Sequence, residues 1–246
     1  MTLVENTLFG IRDKVNEAIE RLQKYEDMTD KKGYYLAFSG GKDSVCIKAL
    51  ADMASVKYDA HYSVTGIDPP ELVYFIREHH PDVIFDKPEI PFLQKLPIKG
   101  FPLRQSRWCC EYLKEKYGEG RVVITGIRRD ESNSRGKRQM FEGNTIKSYL
   151  HPIIDWSANE VWEFIKEKSL SYCKLYDKGW KRIGCLFCPF SSKFEKRLHL
   201  ECYPKFAEAF RRSFRRLYAN RKAEGNTSVD RWKNSDEMFE WWLFNK

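Results

Sequence analysis

Tyr34-Tyr35-Leu36-Ala37-Phe38-Ser39-Gly40-Gly41-Lys42-Asp43-Ser44 is the stretch whose reading decides the fold. Its five leading apolar or aromatic residues suit a short buried strand. Ser39, Gly40 and Gly41 allow a tight turn with close backbone approach. From Lys42 onward Val45, Ile47 and Leu50, with Ala49 and Ala51, read as a helix. Strand, glycine turn and helix together aim free backbone N–H groups and the positive helix end at an anion. Lys42 adds a full positive charge, and Ser39 and Ser44 add hydroxyl donors. Asp43 is the odd member, because a carboxylate beside a phosphate cradle repels its ligand unless it binds Mg²⁺ or a proton donor.

The spacing is not that of a Walker A loop, which needs four residues between its first glycine and the Gly-Lys pair. Ser-Gly-Gly-Lys-Asp-Ser resembles the PP-loop of the adenine nucleotide α-hydrolase superfamily, which includes ATP pyrophosphatases, tRNA thiolation enzymes and sulfonucleotide reductases. The resemblance implies an adenine nucleotide held by Ser39, Gly40, Gly41, Lys42, Asp43 and Ser44.

The 246 residues carry a net charge of +8, which favours anionic partners, nucleotide or nucleic acid. The apolar fraction is ample for a real core and excludes a disordered chain. The first residues, Met1 to Asn6, lack a basic start followed by an apolar run, and no stretch approaches transmembrane length. A cytoplasmic protein without membrane contact is therefore expected. In a reducing compartment the seven cysteines read as metal or redox groups, not as a disulfide framework.

Strand and helix patterns alternate along the chain. Leu8, Ile11, Val15, Ala18, Ile19 and Leu22 predict an amphipathic N-terminal helix, able to serve the core or a homo-oligomer contact. Tyr58 to Thr65 and Val83 to Phe85 predict strands around a helix from Glu71 to His79. Residues 86–106, with four prolines, predict a loop or linker bearing Arg104, which leads to Arg107. Trp108 to Lys116 predicts a helix, Arg121 to Thr125 a strand, and Tyr149 to Ile154 an edge strand because Pro152 cannot donate to a central ladder. Ser157-Ala158-Asn159-Glu160 is a capping box. The pattern predicts an α/β, doubly wound, mainly parallel sheet. Its expected divisions are an N-terminal helix over 1–30, a nucleotide domain over 31–168, and a helical, cysteine-bearing region over 169–246.

Ligands of such sheets sit at the carboxyl ends of strands. That rule nominates Thr65, Asp68, Gly126, Arg128 and Arg135 as nucleotide contacts; an arginine can fork onto phosphate or sulfate. Asp68 can equally cap a helix. The basic run Arg211, Arg212, Arg215, Arg216 and Arg221 on a C-terminal helix is a candidate nucleic-acid surface, or else a solvated face.

Cys185-x-x-Cys188 is a tight thiolate pair, and with Cys109-Cys110 it supplies four ligands for zinc or an iron–sulfur cluster. Adjacent cysteines make a poor zinc knuckle, and a cluster accepts them more easily. On a PP-loop chain this pattern resembles the 4Fe–4S site of adenylylsulfate (APS) reductases. The phosphoadenylylsulfate (PAPS) reductase family is matched further by Thr125 through Arg135, by Pro152 to Trp156 and by Lys114. Gly66 to Leu72, the Cys-Cys pair and Trp241-Trp242 look most like its short bacterial and phage members. Reductases carry a nucleophilic cysteine on a C-terminal Glu-Cys-Gly type tail; here Cys202 is the sole cysteine after the CxxC pair.

Two reactions follow as expectations, both yielding AMP. In the favoured one Mg²⁺-bound ATP adenylates an acceptor for thiolation, Lys42 and Arg128 stabilising phosphate charge and Asp43 holding Mg²⁺, with a cysteine desulfurase as partner. In the other, APS or PAPS is reduced to sulfite with thioredoxin. A third expectation is a non-catalytic nucleotide-binding regulator. Cys46 and Cys173 read as small core residues.

Overall fold

The computed structural model describes residues 3–7, 10–29, 31–143 and 146–244. The described chain runs β1 (Val4–Thr7), β2 (Gly10–Asp13), α1 (Lys14–Lys24), β3 (Tyr34–Ala37), α2 (Lys42–Ala54), β4 (Tyr58–Ser63), α3 (Pro70–His79), β5 (Ile84–Asp86) and α4 (Phe92–Lys99). Then follow α5 (Trp108–Cys110), β6 (Val122–Ile124), α6 (Asn133–Gly136), β7 (Phe141–Gly143), β8 (Ser148–Leu150), α7 (Ala158–Glu167), α8 (Lys193–Cys202), α9 (Pro204–Ala223) and α10 (Ser235–Phe244). They form two units. The first holds the residues up to Ser63, Pro70–Asp86 and Tyr117–Ile183; the second holds Val64–Pro69, Lys87–Lys116 and everything from Gly184 onward.

In the first unit a six-stranded sheet has the order β5-β4-β3-β6-β8-β7. β3 is central and parallel to both neighbours, with Tyr34 opposite Tyr58 and Tyr35 opposite Val123. Only β7 runs antiparallel. The expected mainly parallel α/β sheet is what the chain forms: parallel neighbours need a long crossover, which α2 supplies between β3 and β4 and α3 between β4 and β5. Tyr34, Leu36, Val45, Ile47 and Leu50 are buried there, and α2 packs against α1 and α7. The capping box holds at α7: Ser157 N–H donates to Glu160 Oε2 at 2.6 Å, and Glu160 N–H donates to Ser157 Oγ at 3.3 Å.

Three expectations for this unit change. The N-terminal helix starts at Lys14; Ile11 lies in the β1–β2 hairpin and is exposed, and Leu8 is outside the described residues. Asp13 stops the helix from starting earlier by accepting the N–H groups of Val15 and Asn16 at 3.0 Å. The strand before Pro152 is internal, between β6 and β7, because it ends at Leu150, two residues short of the proline. The expected 1–30 segment is part of the first unit: Arg21 donates to Asp155 at 2.7 and 3.0 Å, and Arg12 also reaches that carboxylate.

In the second unit the proline-rich stretch, expected to be a loop, contains α4. Pro97 sits inside the helix and removes the N–H that the carbonyl of Leu93 would accept. Ser213 of α9 fills the vacancy, its hydroxyl donating to that carbonyl at 2.8 Å. α4 and α10 both pack on α9, where Phe210, Phe214, Phe239 and Trp242 form one aromatic core. The continuous divisions at 31–168 and 169–246 are therefore replaced by interleaved ones. The loop after β4 joins the second unit through the Leu186 N–H, which donates to the Ile67 carbonyl at 2.8 Å.

Burial pushes the Asp155 carboxyl up, but hydrogen bonds from Arg21 and Arg12 prevail and hold it at about 2. A depressed carboxylate pKa gives stability that is present above the unfolded value of about 3.9 and lost as pH falls toward 2. Urea unfolding at pH 7 should therefore show Asp155→Asn less stable by about 2 kcal/mol, the gap narrowing below about pH 4. A gap independent of pH would refute the assignment.

Candidate functional site

The turn after β3 is built as its glycines require. Gly40 has φ +72°, and a Cβ there would lie 2.8 Å from Ile76 and Leu72 side-chain atoms, so α3 closes over the bare backbone. Gly41 is the N-cap of α2 without any side-chain cap, which leaves the helix start for other partners. Ser44 Oγ donates to the Gly41 carbonyl at 2.8 Å and lies 3.2 Å from Ser39 Oγ. The Lys42 N–H donates to the Tyr176 hydroxyl at 3.0 Å. Tyr176 thus fills one position of the N–H cradle, a contact that no local spacing announces.

Asp43 binds two cations. Lys42 Nζ lies 2.8 Å from Asp43 Oδ2, and Arg128 Nε donates to Oδ1 at 2.7 Å. Arg128 is almost fully buried, and its Nη1 also reaches the Trp156 carbonyl at 3.3 Å. Gly126 makes this junction possible: a Cβ there would stand 2.9 Å from Asp43 Cβ and 3.0 Å from its backbone. Arg135 pairs with Glu131, whose Oε2 also accepts the Arg128 N–H at 3.0 Å. So the structure brings Ser39, Lys42, Asp43, Ser44, Gly126 and Arg128 together, and ties Arg135 to them through Glu131.

Thr65 and Asp68 belong to the second unit. Thr65 is buried and its Oγ1 accepts the Ile67 N–H at 3.1 Å. Asp68 is buried beside Cys185 and Lys114.

All four nominated cysteines of the second unit line one small cavity of about 30 Å³, with Lys114, Phe187 and Phe210 among its walls. Cys109 and Cys110 end α5, and a five-residue π-turn, Glu111–Glu115, follows in place of the expected continuous helix. Cys110 is lowered by a hydrogen bond from Cys109, with Lys114 and Arg107 also favouring the thiolate. Burial pushes the Cys185 thiol up to about 12. Among the described residues no three His, Cys, Asp or Glu side chains converge closely enough to hold a single ion. The thiols surround the cavity without meeting at one point.

The CxxC loop is held by a residue that spacing did not reveal. Phe187 adopts the left-handed region with φ +57°, which costs a non-glycine residue about 1 kcal/mol or more. Its N–H donates to His199 Nδ1 at 3.1 Å, and its ring packs on His199, Phe210 and Phe239. Burial lowers the His199 imidazole to about 4, so Nδ1 is an unprotonated acceptor at neutral pH. Cys46 and Cys173 are buried with raised thiols, in keeping with core roles, and Cys202 is exposed at the end of α8.

A parallel sheet whose central strand runs through Ser-Gly-Gly-Lys-Asp-Ser into a helix defines the adenine nucleotide α-hydrolase class. Within it the chain belongs to the phosphoadenosine phosphosulfate reductase domain family, which it matches over residues 33–191. An uncharacterised Methanocaldococcus jannaschii protein is 31% identical over 224 residues, 83% of this chain and 46% of the relative. A second one is 29% identical over 234 residues, 85% of this chain and 56% of the relative. The chain thus spans about half the length of these curated relatives. The adenosine 5′-phosphosulfate reductase of Oceanobacillus iheyensis is 28% identical over 193 residues, 72% of this chain and 79% of that protein. The Candida auris PAPS reductase, solved as a phosphate complex, shares the fold with TM-score 0.52 and 18% identity, over 69% of this chain and 88% of its own. No described helix is long and apolar enough to cross a membrane.

Two substitutions test this geometry. Tyr176→Phe frees the Lys42 N–H and should tighten pyrophosphate binding roughly threefold to tenfold by calorimetry, the worth of one hydrogen bond. Unchanged affinity would mean that the N–H is not part of the cradle. His199→Leu leaves the Phe187 N–H buried without its acceptor and should lower unfolding stability by about 1–3 kcal/mol. A neutral result would show that the left-handed turn holds itself.

Proposed function

We propose that the protein is an AMP-forming enzyme that takes Mg²⁺-bound ATP and activates an acceptor for sulfur transfer. The observation that carries this is Asp43, a carboxylate placed in an anion cradle and balanced there by Lys42 and Arg128. A wholly anionic ligand gains nothing from such a carboxylate. A nucleotide that brings its own divalent cation gives it a partner. Asp43 then exchanges its two protein cations for the metal, and Lys42 and Arg128 become available to the phosphates. An acceptor oxygen attacks the α-phosphorus, the bond to pyrophosphate breaks, and a sulfur nucleophile later displaces AMP from the adenylated acceptor. A cysteine desulfurase is a source of that sulfur.

Cys109, Cys110, Cys185 and Cys188 would hold a metal centre. Zinc draws four sulfurs to within about 3.8 Å of one another, given Zn–S bonds of about 2.3 Å. Thiols spread around a cavity suit a 4Fe–4S cluster better, because each sulfur takes a separate corner. Such a cluster supplies a sulfur-handling or electron-carrying centre. Lys114, beside Cys185 and Asp68, adds positive charge to its surroundings.

A second reaction, reduction of APS or PAPS to sulfite and AMP, is favoured by relatives named adenosine 5′-phosphosulfate reductase. It requires a thiol to attack sulfur; Cys202 or a thioredoxin-like partner would supply it. Nucleotide binding separates the two. For the first, ATP affinity rises with Mg²⁺ and Asp43→Asn removes that dependence, with AMP formation falling about 10²-fold. Sulfite release from APS without Mg²⁺, abolished by Cys202→Ser, would replace it with the second.

A further inference from the structure

The net charge of +8 is unevenly available. On α9, nominated by sequence as the nucleic-acid surface, most basic residues are answered by carboxylates. Arg211 pairs with Asp236 and Glu240 at 3.4 and 2.9 Å, Arg215 with Glu208 at 3.2 Å, Arg221 with Glu224 at 3.0 Å, and Lys222 with Asp230. A different surface of the second unit keeps its charge. Arg104, Arg107, Lys193 and Arg197 are exposed, and none of them forms an ion pair among the described residues. The nearby Glu195 is spent on the α8 capping box with Ser192.

Aromatic rings interleave these cations. The guanidiniums of Arg107 and Arg104 lie 4.7 and 5.5 Å from the centre of the Phe190 ring. Phe190 is 43% exposed and Phe194, the second residue of α8, is 76% exposed. Two such rings four residues apart give the charged surface an apolar, aromatic component. The patch is also anchored: Arg104 Nε donates to the Pro189 carbonyl at 2.9 Å and its Nη2 to that of Phe190 at 3.3 Å. It continues directly into the thiol cavity, since Pro189 and Cys110 line that cavity and Arg107 Nη1 lies 3.7 Å from Cys110 Sγ.

We infer that the Arg104–Arg107–Phe190–Phe194 surface, beside the thiol cavity, binds single-stranded nucleic acid, the acceptor class of the proposed reaction. Guanidiniums held at fixed spacing take the phosphate backbone. Exposed rings, Phe190 beneath those guanidiniums and Phe194 in the same stretch, take unstacked bases, which a duplex does not offer. An acidic protein surface would use the charges and leave Phe194 without purpose. The acceptor role rests on the reaction proposed above; the binding surface does not.

The test is fluorescence anisotropy of the full-length protein, without nucleotide, with labelled mixed-sequence 12-nucleotide RNA, DNA of the same sequence, and the RNA duplex. Binding of either single strand in preference to the duplex is expected, the two arms distinguishing RNA from DNA. Phe194→Ala should weaken it about tenfold, the loss of one stacked base. Arg104→Gln and Arg107→Gln should each reduce the salt-dependence slope by about 1. Arg212→Gln with Arg216→Gln on α9 should change little. Circular dichroism checks folding, and Phe194→Ala and Arg107→Gln carry the test if Arg104→Gln, which loses the Pro189 and Phe190 carbonyls, alters the loop. No single-strand binding, duplex preference, insensitivity to Phe194→Ala, or loss confined to the α9 variants would overturn the surface. Failure of the reaction itself shows separately, as absent Mg²⁺-dependent ATP binding.

Discussion

One carboxylate holding two cations organises the first unit. Asp43 sits one residue into α2 and fixes both Lys42 and a nearly buried Arg128. Removing either partner would leave charge uncompensated in a poorly solvated place, so the three side chains stand or fall together. The backbone is shaped to allow it. Gly126 lets the end of β6 come within van der Waals contact of Asp43, and Gly40 turns the chain where a side chain would strike α3. Held in this way, the three side chains and the turn keep one another in place.

The second unit solves a different problem, that of holding thiols around a cavity rather than letting them collapse. Short irregular pieces do this. A π-turn follows the Cys109-Cys110 pair, and a left-handed Phe187 precedes Cys188. Both are costly conformations that persist because the surroundings determine them. Phe210, Phe214, Phe239 and Trp242 supply that rigid backing, and Ser213 repairs the hydrogen bond that Pro97 takes from α4.

Charge is used selectively across the chain. Much of the arginine run on α9 is internally balanced, with Arg211, Arg215 and Arg221 each opposed by a carboxylate. Surface pairs of this kind contribute little stability, but they cancel the field that the sequence alone suggests. Arg104 and Arg107, left without carboxylate partners among the described residues, lie over the exposed Phe190 ring beside the cysteine pair.

The sequence by itself determined the strand–turn–helix around Gly40, the mainly parallel α/β sheet, the Ser157 capping box and the family of the chain. These rest on local periodicity, on the special conformations of glycine, and on residue patterns a few positions long. Only the tertiary structure decided that residues 86–106 contain a helix, that the strand before Pro152 is internal, and that the units interleave. The same holds for Tyr176 on the Lys42 N–H and His199 on the Phe187 N–H. Each depends on a partner from a distant part of the chain. Hydrogen-bond acceptors, aromatic faces and opposing charges carry no periodic signal; they gain meaning only when packing fixes which groups share a desolvated place.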